Sequence, residues 1–259
     1  MMRRLPIHQI DCWYLPVREL PPETYQALLS GLSPEEQAQH DAFHFQRDQL
    51  RYLLTRTMVR RLLAGYLSVA ASDLVFETNE YGRPRLVGDQ NHLALDFNLS
   101  HTSDYIVCAL MREGKVGVDI ESYWRKRDLN VAADFFAPTE VKQLMELNES
   151  DRNKRFVEFW SLKEAFIKGA GKGMAIPLHA FYYRLQPGQI SFADPEGWGG
   201  RQLWHFRMLE APESHILALA AAPDQEASSE LQWKIRAFEL VEIQQEVIGA
   251  WKFYRTSSS

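Results

Sequence analysis

The chain has 259 residues, of which 46% are hydrophobic, 12% aromatic and 24% charged, proportions that exclude a disordered or fibrous protein. Its 29 Lys and Arg against 34 Asp and Glu leave a net charge of −5, so no global basic field draws it to nucleic acid, and a polyanionic ligand would need a local patch. Cys12 and Cys108 each sit inside an apolar run, which predicts buried thiols in a cytoplasmic protein rather than a disulfide framework or zinc site. Neither an export signal nor a membrane span is read.

In chain order, a short strand is expected over residues 10–15. A helix begins at Ser33-Pro34-Glu35-Glu36, where proline suits the first turn and Ser33 with Glu36 fits a capping box. A long helix follows over 47–67, with Leu50, Leu53, Leu54 and Met58 at helical spacing. Extended segments come next over 73–86, then a hairpin-like pair of strands over 93–111. The order then restarts: a strand over 116–121, a proline-started helix at Ala137-Pro138-Thr139-Glu140, and a long helix over 154–169 with Phe156, Phe159, Trp160 and Phe166 on its apolar stripe. Extended segments over 181–192 and a strand pair over 201–222 complete it. Strand, helices, three strands, twice, at a period of about 105 residues, imply two halves, 1–112 and 113–223. Residues 224–259 are set apart as a C-terminal extension, a polar linker and an apolar-rich docked segment ending in a frayed Thr-Ser-Ser-Ser.

Val116-Gly-Val-Asp-Ile-Glu121 alternates so that Asp119 and Glu121 leave the strand on one face. Two carboxylates so placed repel unless a cation or strong donors lie between them, which suits a hard divalent ion; a solvated strand end is the plainer reading. Glu164 and Lys168 stand one helical turn apart, and Gly171 and Gly173 flank Lys172 in a loop that could approach phosphate; an exposed Glu-Lys pair before a glycine cap explains all but the loop. Asp96-Phe-Asn98-Leu-Ser100-His101-Thr-Ser-Asp104 reads as the polar turn of the hairpin, in which Ser100-His101 offers donors to an anion. Arg47 and Arg51 are one turn apart, and Tyr81-Gly-Arg83-Pro-Arg85 adds guanidinium groups suited to phosphate, although scattered arginines are usually solvated. No Walker A and no dinucleotide-binding glycine fingerprint occur.

These motifs, Glu80-Tyr-Gly-Arg-Pro84, Phe97-Asn-Leu-Ser-His101, Val116-Gly-Val-Asp-Ile-Glu121, Phe135-Phe-Ala-Pro-Thr-Glu140 and Phe159-Trp-Ser-Leu-Lys-Glu-Ala-Phe-Ile-Lys168 with the Gly171-Lys-Gly173 loop, together resemble the 4′-phosphopantetheinyl transferases of the two-half, surfactin-synthetase-activator kind. The resemblance covers residues 32–178. It implies transfer of the phosphopantetheine arm of coenzyme A to a serine of an apo acyl or peptidyl carrier protein, with release of 3′,5′-ADP. It implies Asp119, Glu121 and Glu164 as ligands of Mg²⁺ (or Mn²⁺), and Glu164 as a candidate base. Lys168 would steady the pyrophosphate, and Asp119 would share in catalysis. Arg47, Arg51, Arg83, Ser100, His101, Asp119, Lys163 and Lys168 would meet the coenzyme. Where some relatives carry lysines after Ser-Pro-Glu, this chain has Glu36 and Gln39, so part of the 3′-phosphate clamp is absent or relocated, with Arg47 the candidate.

The expected fold is α+β, two similar pseudo-twofold-related halves, each a long helix packed on a small, mostly antiparallel sheet, with the coenzyme in the cleft between them. A cytoplasmic monomer without nucleic-acid or membrane partners is expected. The rival functions are a Mg²⁺-dependent hydrolase of coenzyme A-type pyrophosphates and a noncatalytic carrier-binding module. Arg125-Lys-Arg127 is a candidate patch for an acidic carrier helix, equally explained as a solvated loop.

Overall fold

Two copies of one element order build the chain, whose computed structural model describes residues 4–124, 126–225, 230–238, 240 and 252–257. The first copy runs β1 (Gln9–Pro16), α1 (Pro22–Leu29), α2 (Pro34–Asp41), α3 (Gln46–Leu67), β2 (Phe76–Thr78), β3 (Pro84–Leu86), β4 (Leu95–His101), β5 (Tyr105–Arg112). The second runs β6 (Gly114–Ser122), α4 (Ala132–Phe135), α5 (Pro138–Met145), α6 (Glu149–Ala170), β7 (Tyr182–Gln186), β8 (Gly188–Ala193), β9 (His205–Ala211), β10 (His215–Pro223). Each copy therefore has four strands after its helices where periodicity predicts three. The extended stretches fold back on themselves: Asn79 Oδ1 accepts from the amides of Tyr81 and Arg83, both at 2.9 Å, closing one turn. Pro187-Gly188 closes the other between the paired residues Gln186 and Gln189.

The expected capping box caps α2, and its glutamate half, not foreseen from the sequence, caps α5. Ser33 N donates to Glu36 Oε2 at 3.1 Å and Glu36 N to Ser33 Oγ at 3.3 Å, and Ala137 N donates to Glu140 Oε2 at 2.9 Å. Helix α6 begins at Glu149, earlier than predicted, because its first turns are polar and carry no apolar period; Glu149 and Asp151 there meet the positive end of the dipole.

The first sheet has strand order β11-β1-β5-β4 and the second β6-β10-β9-β12-β8-β7, where β11 is Gln232–Ala237 and β12 is Lys252–Ser257. The segment after residue 223, expected as an appendage, thus supplies a strand to each sheet: β11 pairs parallel with β1, and β12 lies between β9 and β8. Thr256 and Ser257, read as part of a frayed end, belong to β12; Ser258 and Ser259 lie outside the described residues.

Alternation along β1 shows how the layers form. Trp13 and Leu15 join the core beneath α3, whereas Ile10, Cys12 and Tyr14 join a cluster shared with Val116, Val118, Ile120, Leu217 and Leu219 of the other sheet. The order is helix, sheet, sheet, helix. Strands covered on both faces read as continuous apolar runs, as Tyr105–Arg112 and His215–Pro223 do. Cys12 and Cys108 are free and buried, and burial pushes both thiols up. No helix among the described residues is long and apolar enough to cross a membrane.

Candidate functional site

The site is assembled where α6 lies against β6. Gly117 makes this approach feasible: a Cβ there would stand 1.9 Å from the carbonyl oxygen of Ala165 and 2.5 Å from the amide nitrogen of Gly169. With the helix this close, Glu164 and Lys168 on successive turns come over Asp119. Lys168 Nζ reaches Asp119 Oδ1 at 2.6 Å and stands 4.0 Å from Glu164 Oε2. Ser100, at the end of β4 in the other half, donates to Asp119 Oδ1 at 2.9 Å and accepts from Lys168 Nζ at 3.2 Å. The cluster therefore joins three motifs from two halves.

Its electrostatics are those of crowded acids. Burial raises the Glu164 carboxyl above its ordinary value, reinforced by Asp119 and Glu121 and opposed by Lys168. Burial and Asp119 likewise raise Glu121, against the pull of Arg127. Burial alone would lower the Lys168 ammonium, but Asp119, Glu164 and Glu121 outweigh it and hold the group above its usual value. Asp119 is buried, and its Oδ2 has no hydrogen-bond partner among the described residues.

Among the described residues, no three His, Cys, Asp or Glu side chains close into a ready metal cage. The donor set nonetheless fits a hard divalent cation. Burial and the neighbouring Asp119 charge raise both Glu121 and Glu164, and one buried Asp119 oxygen has no hydrogen-bond partner among the described residues, a setting that favours added positive charge.

The stretch read as a turn from Asp96 is strand up to His101, paired with β5 residue by residue, and only residues 102–104 turn; His101 is exposed on the rim at the end of β4. Partial desolvation, with the Arg51 and Lys168 charges, holds its imidazole below the usual range. Arg51 is oriented by Asp48 at 2.8 Å, and Arg47 is exposed with its guanidinium 5.3 Å from the centre of the Phe45 ring. The structure thus brings Arg51, His101, Ser100 and Lys168 into one cationic neighbourhood beside the acids.

Three expected contacts are corrected. Lys163, assigned to the coenzyme, has no exposed surface: its ammonium pairs with Glu140 Oε2 at 2.8 Å and donates to the carbonyls of Leu178 at 2.7 Å and Phe181 at 2.8 Å. A lysine one residue from Glu164 on a helix points elsewhere, here into the core. Arg83 spends its guanidinium on protein, donating to Asp96 Oδ2 at 2.7 Å, Val116 O at 2.9 Å, Gly169 O at 2.8 Å and the Lys168 carbonyl. It ties the β2–β3 turn to the end of α6 instead of offering a free cation to phosphate. Lys172 lies over the Trp198 ring, 5.5 Å from its centre, rather than projecting as a phosphate hook.

Of the proposed basic patch, Arg125 lies outside the described residues, and Arg127 is engaged with Glu121 Oε2 at 2.7 Å. The acid at position 36 has its own explanation, for it is buried against Arg56 and Arg60, receiving Arg60 Nε at 2.8 Å. Sequence reasoning missed Gly117 as a packing residue, although a glycine between two valines in a strand is a signal of close backbone approach.

The family model for the N-terminal part of 4′-phosphopantetheinyl transferases matches residues 20–113, and that of the 4′-phosphopantetheinyl transferase superfamily matches residues 115–220. The chain is 32% identical over 209 residues to the 4′-phosphopantetheinyl transferase Sfp of Bacillus subtilis, covering 80% of this chain and 90% of that protein. It is 31% identical over 199 residues to another 4′-phosphopantetheinyl transferase of Bacillus subtilis, covering 76% and 85%. To the 4′-phosphopantetheinyl transferase HetI of a Nostoc species it is 32% identical over 169 residues, covering 64% and 70%.

Proposed function

The chain belongs to the 4′-phosphopantetheinyl transferase family, and from that premise we propose that the Asp119, Glu164, Lys168 and Ser100 cluster is where the arm of coenzyme A passes to a carrier serine. The protein is a holo-carrier-protein synthase. The observation that carries the site is the convergence of Lys168 on Asp119 and Ser100 across the two halves.

In this reading Asp119, Glu121 and Glu164 would hold one Mg²⁺. When bound, the ion supplies a Lewis acid that neutralises charge on the pyrophosphate. Lys168, kept protonated by its acidic neighbours, binds the pyrophosphate oxygen that becomes the leaving group and stabilises it as charge develops. Glu164 is the candidate base that accepts the proton of the carrier serine hydroxyl. The serine oxygen bonds to the phosphorus bearing the pantetheine, the bond to the bridging oxygen breaks, and 3′,5′-ADP leaves with that electron pair. Arg51, His101 and Arg47 hold the 3′-phosphate end, with Arg47 replacing lysines absent from α2. We place it in the cytoplasm, as its two free, buried cysteines suggest, and as a monomer with its halves dividing near residue 113, because one chain carries both walls of the cleft.

Incubation with coenzyme A, Mg²⁺ and apo carrier proteins, followed by intact mass, tests the reading. A carrier that gains the arm, with one 3′,5′-ADP released per arm, is expected. Nucleotide release without any carrier would assign hydrolysis instead.

A further inference from the structure

Packed face to face through the shared core, the two sheets also bring together one edge of each, β4 and β6, the terminal strands of their respective ladders. An edge strand at a buried interface has backbone N–H groups that must find acceptors, and no backbone ladder joins these two. The acceptors are side chains. Val116 N donates to Asp96 Oδ2 at 2.7 Å, Val118 N to Asn98 Oδ1 at 2.9 Å, and Ile120 N to Ser100 Oγ at 3.4 Å. Donors and acceptors both advance by two residues, so every bond spans the same twenty positions and the strands run in one unbroken register.

We propose that this row of side chains is the device that sets the register of the β6 carboxylates against the other half, and that Asn98 is its central positioning residue. Asn98 is buried, 7% exposed, and lies between two members with other duties: Asp96 is held by Arg83, and Ser100 also reaches Asp119 and Lys168. Val118 and Ile120 flank Asp119 in the chain, so fixing their amides fixes where Asp119 meets Ser100. Register carries this weight because strand side chains alternate: a slip of one residue would exchange Asp119 for an apolar neighbour on the site face. Asparagine suits the middle position because it accepts a hydrogen bond without adding a charge to a cluster of three acids.

The kinetic arm of the test rests on the transferase reading; the structural arm does not. Asn98→Leu keeps the bulk and removes the acceptor. Its Val118 amide is expected to exchange with solvent deuterium about tenfold faster than wild type, while kcat for carrier loading falls about tenfold or more. KM for coenzyme A should stay within about threefold. Asn98→Ser, which offers a hydroxyl as Ser100 does, is expected to recover part of both. Wild-type exchange and wild-type kcat in Asn98→Leu would overturn the proposal, and so would a raised KM for coenzyme A at unchanged kcat, which would make Asn98 a ligand residue. If Asn98→Leu does not fold, Asn98→Ser decides: intermediate exchange and kcat support the row, wild-type values for both refute it. If the wild-type protein loads no carrier, the transferase reading has failed, and the Val118 exchange rate alone still decides the row.

Discussion

Replacing Gly117 with alanine isolates the packing on which the site depends. The new Cβ would stand 1.9 Å from the Ala165 oxygen, where real Cβ contacts do not fall below 3.0 Å, so α6 must retreat from β6 by about 1 Å at that point. The obstacle is backbone on both sides, which no rotamer change relieves. Lys168 leaves the same stretch of helix, and its 2.6 Å contact with Asp119 would open to about 3.6 Å, beyond hydrogen-bonding distance. Overpacking of this kind costs about 1–3 kcal/mol of stability, and a 1 Å displacement of a reacting group costs on the order of a hundredfold in kcat. Intact-mass time courses of carrier loading read the rate, and urea unfolding reads the stability. A Gly117→Ala protein with kcat within threefold of wild type and an unchanged unfolding midpoint would show that the close approach is not what positions Lys168.

Other substitutions separate structural cations from functional ones. Lys163→Met leaves Glu140 in the core without its ion partner and should cost about 3–5 kcal/mol by denaturant melt, with the milder Lys163→Met/Glu140→Gln double variant keeping an unchanged KM for coenzyme A; a selectively raised KM would return Lys163 to the coenzyme. Arg83→Ala should lower both melting temperature and kcat while calorimetric affinity for 3′,5′-ADP stays within about threefold, because its guanidinium is bound to protein. A much larger loss of nucleotide affinity would contradict that assignment. Chelation should stop carrier loading and added Mg²⁺ restore it, and Mn²⁺ binding seen by electron paramagnetic resonance should be lost in Asp119→Ala; retained binding would exclude Asp119 as a ligand. Deleting residues 231–259 removes β11 and β12 and bares the β1 edge, so aggregation in light scattering is expected, whereas a monomeric, active truncation would restore the appendage view of the tail.

The repeat, both proline-started helices and the acidic strand were legible because each is a local signal: a period, a cap or an alternation written within some twenty residues. Asp119, Glu164 and Lys168 could be selected on the same basis, since a strand and a helix declare which of their side chains share a face. The fourth strand of each copy was hidden because Asn79 and Pro187-Gly188 cut short extended stretches that read as continuous. The tail was misjudged because pairing with β1 across more than two hundred residues leaves no mark on local composition.

What the sequence determined by itself was the inventory of chemistry, the carboxylates, the lysine and the serine-histidine pair, on elements of known type. Only the tertiary structure decided which charges are available to a ligand. Lys163 and Arg83 look alike in sequence to Lys168 and Arg51, yet Lys163 is wholly buried against Glu140 and Arg83 is spent on Asp96 and backbone carbonyls, whereas Lys168, though paired with Asp119, keeps about a quarter of its side chain exposed. The physical reason is that a buried charge must be matched where it lies, and its match depends on which distant segments the cores bring together. The same holds for Asn98, an ordinary turn-prone residue in sequence that becomes an acceptor for Val118 only when two sheet edges meet.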